Sequence, residues 1–176
     1  IEINKITDNT NEVSEGDVFF CIKGYNFDGH NFIDLVISKG AKVIVINDCF
    51  SEKIPKDLDC VVISVDDTRK ALAIVSINFY GRLHEKFKLI GITGTNGKTT
   101  TTFILREIFR NAGYRTGVIG TISNFINDRK IKAERTTPGA LQLNELFSEM
   151  HKEKVEYCFM EVSSHALGLN RVYGIQ

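Results

Sequence analysis

The chain has 176 residues, 43% hydrophobic and 25% charged, and its 22 basic and 22 acidic side chains cancel to zero net charge. That length suits one large or two small soluble domains. The charge balance lacks the basic face a nucleic-acid partner needs, and the apolar runs fall far short of a membrane span.

Ile1-Glu-Ile-Asn-Lys5 lacks the apolar core of a signal peptide. Cys21, Cys49, Cys60 and Cys158 form no Cys-x-x-Cys pair, which predicts buried free thiols in a reducing cytoplasm. His30, His84, His151 and His165 show no metal-ligand spacing, so zinc is not expected.

Residues 16–22, Gly-Asp-Val-Phe-Phe-Cys-Ile, read as a buried strand. Asn31 is placed to cap a helix over 32–39 with Phe32, Leu35 and Val36 on one face, and Gly40 suits its left-handed end. Lys42–Ile46 is a second strand, Pro55 sits in a polar loop, and Cys60–Val65 is a third strand. Asp66 or Asp67 caps a helix to about Tyr80, with Leu72, Val75 and Phe79 inward, and Gly81 ends it. Alternating strands and helices imply an α/β layer with parallel pairing. The polar stretch Gly81–Lys86 separates residues 1–85 from a second unit, 86–176.

The second unit opens on a strand, Phe87–Thr93, then a Gly-rich loop and a helix to about Asn111. Strand, loop, Lys-Thr and helix in that order form a phosphate-binding loop. Its glycines let backbone N–H groups approach phosphate oxygens, and the helix N-terminus adds a positive dipole end. Lys98 supplies a full charge for the β- and γ-phosphates, and the Thr99 hydroxyl can ligate Mg²⁺. The spacing departs from Gly-x₄-Gly-Lys-[Ser/Thr]: Ile92 stands where the first Gly belongs, with glycines at Gly91 and Gly94.

The helix is expected to pack through Ile104, Leu105, Ile108 and Phe109, and Gly113 to stop it. Arg115–Gly120 is the next strand, and 123–135 is a loop or short hairpin. Thr136-Thr-Pro-Gly139 is a turn that offers two hydroxyls, followed by a helix with Leu143, Leu146, Phe147 and Met150 in one stripe. Val155–Met160 is a buried strand with Glu161 at its carboxyl end. Ligands bind outside the carboxyl ends of strands in open α/β sheets. Glu161 can therefore hold Mg²⁺ opposite Thr99. Ser163, Ser164 and His165 follow at the same strand end, and Arg171 can pair with a phosphate or carboxylate. The chain stops at Gln176 soon after that strand, which reads as a fragment.

Together these motifs resemble the Mur ligases of peptidoglycan synthesis. The family's loop, Thr-Gly-Thr-x-Gly-Lys-Thr, fits Thr93–Thr99, so the off-pattern Gly94 is the family's own form. Glu161-Val-Ser-Ser-His-Ala-Leu167, Thr136-Thr-Pro138 and Arg171-Val172 are similar to the MurE subfamily. Val13-x-x-Gly16-Asp17-x-Phe19 and Gly24-x₃-Asp28-Gly29-His30-x-Phe32 resemble its UDP-binding domain. Where that family has Asp-Ser-Arg, this chain has Asn9-Thr10-Asn11; the hydroxyl is kept at Thr10 and the Arg is lost at Asn11.

The resemblance implies a small N-terminal α/β domain that binds the UDP sugar, then an incomplete, mostly parallel α/β domain that binds ATP. It implies ATP-dependent amide formation between UDP-N-acetylmuramoyl-dipeptide and a diamino acid, diaminopimelate or lysine, through an acyl phosphate. ATP would lie on Gly94, Thr95, Asn96, Gly97, Lys98, Thr99 and Thr100, and Mg²⁺ on Thr99 and Glu161. Lys98 and Glu161 would be the catalytic pair. Thr136, Thr137, Ser163 and Arg171 would hold the muramoyl-dipeptide, with His165 beside it, and Thr10 with Tyr25, Asn26 and Phe27 would hold the UDP end. In this reading a carbamylated Lys and a C-terminal domain lie beyond residue 176. The chain is then expected to be monomeric and cytoplasmic, and to bind without ligating. Folate polyglutamate and cyanophycin ligases, or a phosphate-loop kinase or nucleotide-binding module, are the alternatives. A GTPase is excluded by the lack of Asn-Lys-x-Asp.

Overall fold

A computed structural model describes residues 2–25, 27–53 and 58–175. Asn26 and Pro55, both singled out above, lie outside them. The chain divides into two compact units, Ile1–Leu72 and Ala73–Gln176.

The first unit is built on a four-stranded sheet of β1 (Ile6–Thr7), β2 (Val18–Phe20), β3 (Val43–Asn47) and β4 (Val61–Val65). The strands lie side by side in chain order, and every pair is parallel. β2 and β3 are near-continuous apolar runs because sheets crossed over by helices are covered on both faces. Phe19, Cys21, Val36, Ile44 and Ile46 form the core with Val13 and Ile33. Burial pushes the Cys21 thiol up to about 12, with the Asp28 charge adding to it.

The crossover from β2 to β3 runs through a 3-10 turn, Gly29–Phe32, and helix α1 (Ile33–Ser38). Asp28 caps the 3-10 turn, its side chain accepting from the His30 amide at 3.1 Å, while α1 starts after Phe32 with no side-chain cap, so the cap expected from Asn31 is not formed. Leu35 is exposed, and Ile33 joins Val36 on the inner face, because the helix starts later than the sequence pattern suggests. Gly40 takes a left-handed φ of +92°, as expected. The buried His30 ring is fixed at both nitrogens. Nδ1 lies 2.6 Å from Asp28 Oδ1, and Nε2 accepts from the Asn47 amide at 3.1 Å. An amide can only donate, so the ring proton is on Nδ1. Burial opposes ionisation of Asp28, but hydrogen bonds from the His30 ring and backbone, with the Lys23 charge, hold its carboxyl below the usual range.

Helix α2 (Thr68–Phe79) is capped by Asp67, whose Oδ1 accepts from the amides of Arg69 and Lys70 at 2.9 and 3.0 Å. Its buried residues are Thr68, Leu72, Ala73, Ser76 and Ile77, whereas Val75 and Phe79, expected inward, are exposed. Cys49 is also exposed, in a 3-10 turn over Asp48–Lys53, and is not the buried thiol expected.

In the second unit, β5 (Lys88–Ile92), α3 (Lys98–Asn111), β6 (Thr116–Ile119), β7 (Ser123–Ile126), β8 (Arg129–Lys132), α4 (Ala140–Lys152), β9 (Tyr157–Glu161) and α5 (Ser164–Gly168) follow one another. The sheet order is β5-β9-β6-β7-β8. β9 is parallel to β5 on one side and to β6 on the other. The 123–135 segment is a hairpin, β7 and β8, turning at Asn127 with φ +53°. The α4 stripe packs as expected, with Leu143, Phe147 and Met150 fully buried beside Leu146, Ile119, Cys158 and Met160. Burial alone raises the Cys158 thiol.

α3 turns only part of its expected apolar stripe inward: Leu105 and Phe109 are half-buried, with the Phe109 ring centroid 4.4 Å from that of Tyr157 and 5.2 Å from that of Phe159. Ile104 and Ile108 are exposed, while Thr102 and Arg106 are buried. Arg106 is paired at its two terminal nitrogens, though not at Nε: it bonds Glu107 at 2.7 Å and the Asn127 carbonyl at 3.0 Å, and lies 4.6 Å over the Phe125 ring. A paired guanidinium with a long apolar stem can be buried where an unpaired charge cannot.

Candidate nucleotide and metal site

The register of β5 and β9 builds the site. Ile92 pairs with Glu161, so the loop leaving β5 and the carboxylate ending β9 emerge side by side. The loop is held open by positive φ angles at Gly94 (+150°) and Gly97 (+82°), which disfavour side chains. Gly97 is the N-cap of α3. Lys98 Nζ curls back to 2.6 Å from the Gly94 carbonyl, and the Thr102 hydroxyl donates to the Lys98 carbonyl at 2.7 Å.

A cleft of about 310 Å³ is lined by Thr95 through Thr100 on one side and by Thr121, Thr136, Glu161 and Ser163 on the other. The structure therefore brings together the expected ATP set, with Gly94 adjoining, and part of the expected substrate set. Glu161 is fully buried as a residue. Its Oε2 accepts from the Thr99 hydroxyl at 2.9 Å and from the Thr121 hydroxyl at 3.0 Å, and its Oε1 accepts from the Thr121 amide at 2.9 Å. The Thr99–Glu161 pair was expected; Thr121 was not read from the sequence. A lone Thr after a strand carries no motif. The usable signal was its position at the carboxyl end of β6, next to β9.

The pair fits Mg²⁺. Adjacent oxygens of an octahedral site, each ~2.1 Å from the ion, lie about 3 Å apart, close to the 2.9 Å between Thr99 Oγ1 and Glu161 Oε2. Among the described residues no group of three or more His, Cys, Asp and Glu side chains could hold a metal. Mg²⁺ does not need one, because it is ordinarily held by one or two carboxylates together with water and substrate phosphates.

The other expected residues are placed as follows. Thr136 Oγ1 is 3.0 Å from Thr121 Oγ1. Thr137 is fully buried; its hydroxyl donates to the Glu161 carbonyl at 2.7 Å and accepts from the Ser163 amide at 3.1 Å. Its hydroxyl thus braces the end of β9 and does not line the cleft. Ser163 caps α5, its side chain accepting from the Ala166 amide at 3.2 Å. α5 is too short to show a periodicity, but the Ser at its start was a legible cap. His165 is exposed on α5. Arg171 is half-buried and donates to the Thr137 carbonyl at 2.9 Å. Thr10, Tyr25 and Phe27 belong to the first unit. Thr10 is nearly buried and its carbonyl accepts from Lys39 Nζ at 2.7 Å. Tyr25 is 86% exposed, and Phe27 stacks on Phe32 with centroids 4.6 Å apart.

Comparison with known proteins agrees with this geometry. Residues 2–80 match the profile described as Mur ligase family, catalytic domain, and residues 92–176 match Mur ligase middle domain. The chain is 51% identical over 176 residues to UDP-N-acetylmuramoyl-L-alanyl-D-glutamate--2,6-diaminopimelate ligase 1 of Clostridium acetobutylicum, covering 99% of this chain and 36% of that protein. A solved structure of a UDP-N-acetylmuramoyl-L-alanyl-D-glutamate--2,6-diaminopimelate ligase superposes with TM-score 0.77 at 22% identity, over 98% of this chain and 34% of the other. MurF ligase from Thermotoga maritima, solved in complex with ADP, gives TM-score 0.54 at 25% identity, over 91% and 32%. The chain thus spans about a third of the length of the relatives it matches. No described helix is long and apolar enough to cross a membrane. The chain belongs to the Mur ligase family.

Proposed function

We propose that this chain carries the nucleotide-binding part of an ATP-dependent amide ligase that adds 2,6-diaminopimelate to UDP-N-acetylmuramoyl-L-alanyl-D-glutamate. The observation that carries the reading is the Thr99–Glu161 contact of 2.9 Å at the foot of a Mur-type phosphate loop. The choice of acceptor and amino acid is supported by the 51% identity to a protein named for that reaction. The choice of nucleotide is supported by the ADP bound to the Thermotoga maritima relative.

In this reaction a substrate carboxylate oxygen attacks the γ-phosphorus and ADP leaves. The resulting acyl phosphate is then attacked at its carbonyl by the amine of the diamino acid, releasing phosphate. The loop amides and Lys98 stabilise the charge on the transferring phosphoryl group. Thr99 and Glu161 would hold Mg²⁺, which neutralises charge on the phosphates when bound. Thr136 and Ser163 line the same cleft and are the residues best placed to meet the acceptor substrate. We assign the UDP end to Thr10, Tyr25 and Phe27 of the first unit. The reaction involves small molecules only, in the cytoplasm, where ATP is available and an exposed free thiol such as Cys49 stays reduced.

Titration calorimetry of ADP with and without Mg²⁺ tests the site. Mg²⁺-dependent binding is expected, and binding indifferent to Mg²⁺ would overturn it. Phosphate release that requires both the UDP-dipeptide and the diamino acid tests the reaction in a protein that contains this chain. Release that proceeds without the dipeptide would sink the ligase reading.

A further inference from the structure

The cluster around Glu161 contains a residue to which neither the phosphate loop nor the family resemblance assigns a role. We propose that Thr121 is a positioning residue for the metal: it grips both oxygens of the Glu161 carboxylate and presents Oε2 to Thr99 before a cation arrives. The proposal rests on the nucleotide–metal reading above. It deepens that reading by naming what holds the metal-binding carboxylate in place.

The geometry gives the carboxylate one orientation. The Thr121 amide donates to Oε1 at 2.9 Å and its hydroxyl donates to Oε2 at 3.0 Å. A single residue therefore spans both oxygens and fixes the terminal torsion, which is otherwise soft in Glu. Gly120 lets the turn come this close. A Cβ there would fall 2.2 Å from Oε1 and 3.0 Å from the carboxyl carbon. The turn itself is held by the Gly120 amide, which donates to Asn124 Oδ1 at 3.2 Å inside the buried start of β7.

The hydroxyl chain then has a direction. Thr121 Oγ1 carries one proton and has two oxygen neighbours, Glu161 Oε2 and Thr136 Oγ1, each at 3.0 Å. The carboxylate is the stronger acceptor. Thr121 therefore donates to Glu161, and Thr136 donates to Thr121. The Thr136 proton is committed to Thr121, leaving its lone pairs as the group available to a substrate donor. Thr121 thereby links the metal end of the cleft to its acceptor end.

Groups that orient metal ligands typically change metal affinity by about 10–100-fold when removed. The test is the Mn²⁺ affinity of the ADP-bound chain, read from the electron-spin-resonance signal of free Mn²⁺, alongside ADP affinity in EDTA. Mn²⁺ suits the same oxygen ligands as Mg²⁺. Thr121→Val keeps the side-chain shape and is expected to weaken Mn²⁺ binding about tenfold, with metal-free ADP affinity unchanged. Thr121→Ser, which keeps the hydroxyl, is expected to restore it. Gly120→Ala displaces the carboxylate while leaving the Thr121 hydroxyl, and is expected to show the same metal-specific loss. Wild-type Mn²⁺ affinity in Thr121→Val or in Gly120→Ala would overturn the proposal, as would an equal loss in Thr121→Ser. Failure of the wild-type chain to bind Mn²⁺ with ADP would instead overturn the nucleotide–metal reading, and this proposal with it.

Discussion

Asp28 and Glu161 each centre a buried hydrogen-bond cluster, one in each unit, and the clusters differ in what their partners can still do. Asp28 meets an amide and an imidazole, and that imidazole is in turn held by the Asn47 amide and stacked on Phe50 at 3.9 Å. Those donors cannot rotate, so the cluster ties the crossover turn to the end of β3. Glu161 meets one amide and two hydroxyls, with a third hydroxyl behind them. Hydroxyls turn freely about their C–O bonds. Their contacts can be exchanged for a ligand without moving the backbone. A polar cluster of fixed donors holds a fold together, whereas one of rotatable donors beside a cleft can serve a reaction.

That contrast can be broken experimentally. Glu161→Gln is expected to remove the metal-dependent part of ADP binding, about 100-fold, measured by calorimetry with and without Mg²⁺. His30→Leu removes the acceptor of the Asn47 amide and the ring partner of Asp28. Asp28 keeps the residue-30 amide, so the variant is expected to cost roughly 2 kcal/mol in urea unfolding, mainly from the unpaired Asn47 amide, while ADP affinity is unchanged. A matching loss of ADP affinity in His30→Leu would erase the distinction between the two clusters.

The smallest effect comes from a third case, His84. It is buried and its Nδ1 has no hydrogen-bond partner. Burial depresses its pKa from the usual 6.5, Glu85 opposes this and Arg82 adds to it. The unfolded chain then takes up a proton before the folded one, so stability falls as pH drops below about 6.5. His84→Phe is expected to flatten the urea midpoint between about pH 7 and 5. An unchanged slope would show that the ring is not the source.

How much of this was legible follows from the kind of signal each part carries. The strands were readable because buried parallel strands are unbroken apolar runs, and the α4 stripe because every inward residue is apolar. α3 was only half read because its inward face also carries Thr102, bonded within the helix, and Arg106, whose partners come partly from the distant hairpin. Asp28 was missed as a cap because the 3-10 turn begins before the helical pattern does. In the site, the loop and Glu161 were visible as a motif and a strand end. Thr121 was not visible, because its role depends on β6 lying next to β9, a neighbour relation that no local pattern contains. Thr137 shows the converse: its neighbour in sequence lines the cleft while its own hydroxyl is enclosed.

β9 lies between β5 and β6 although it is made after both, and after α3 and α4 as well. Leu89 thus waits for Cys158, and Ile92 for Glu161, before either has a sheet partner. During synthesis the phosphate loop leaves the ribosome with its glycines and lysine in order but with its anchoring strand unpaired. Such distant pairing is slow, because the loop-closure entropy is lost before any contact forms. The strand that carries Glu161 is also the one that closes the sheet. The nascent chain therefore acquires its candidate site at the moment its second unit becomes a folded body.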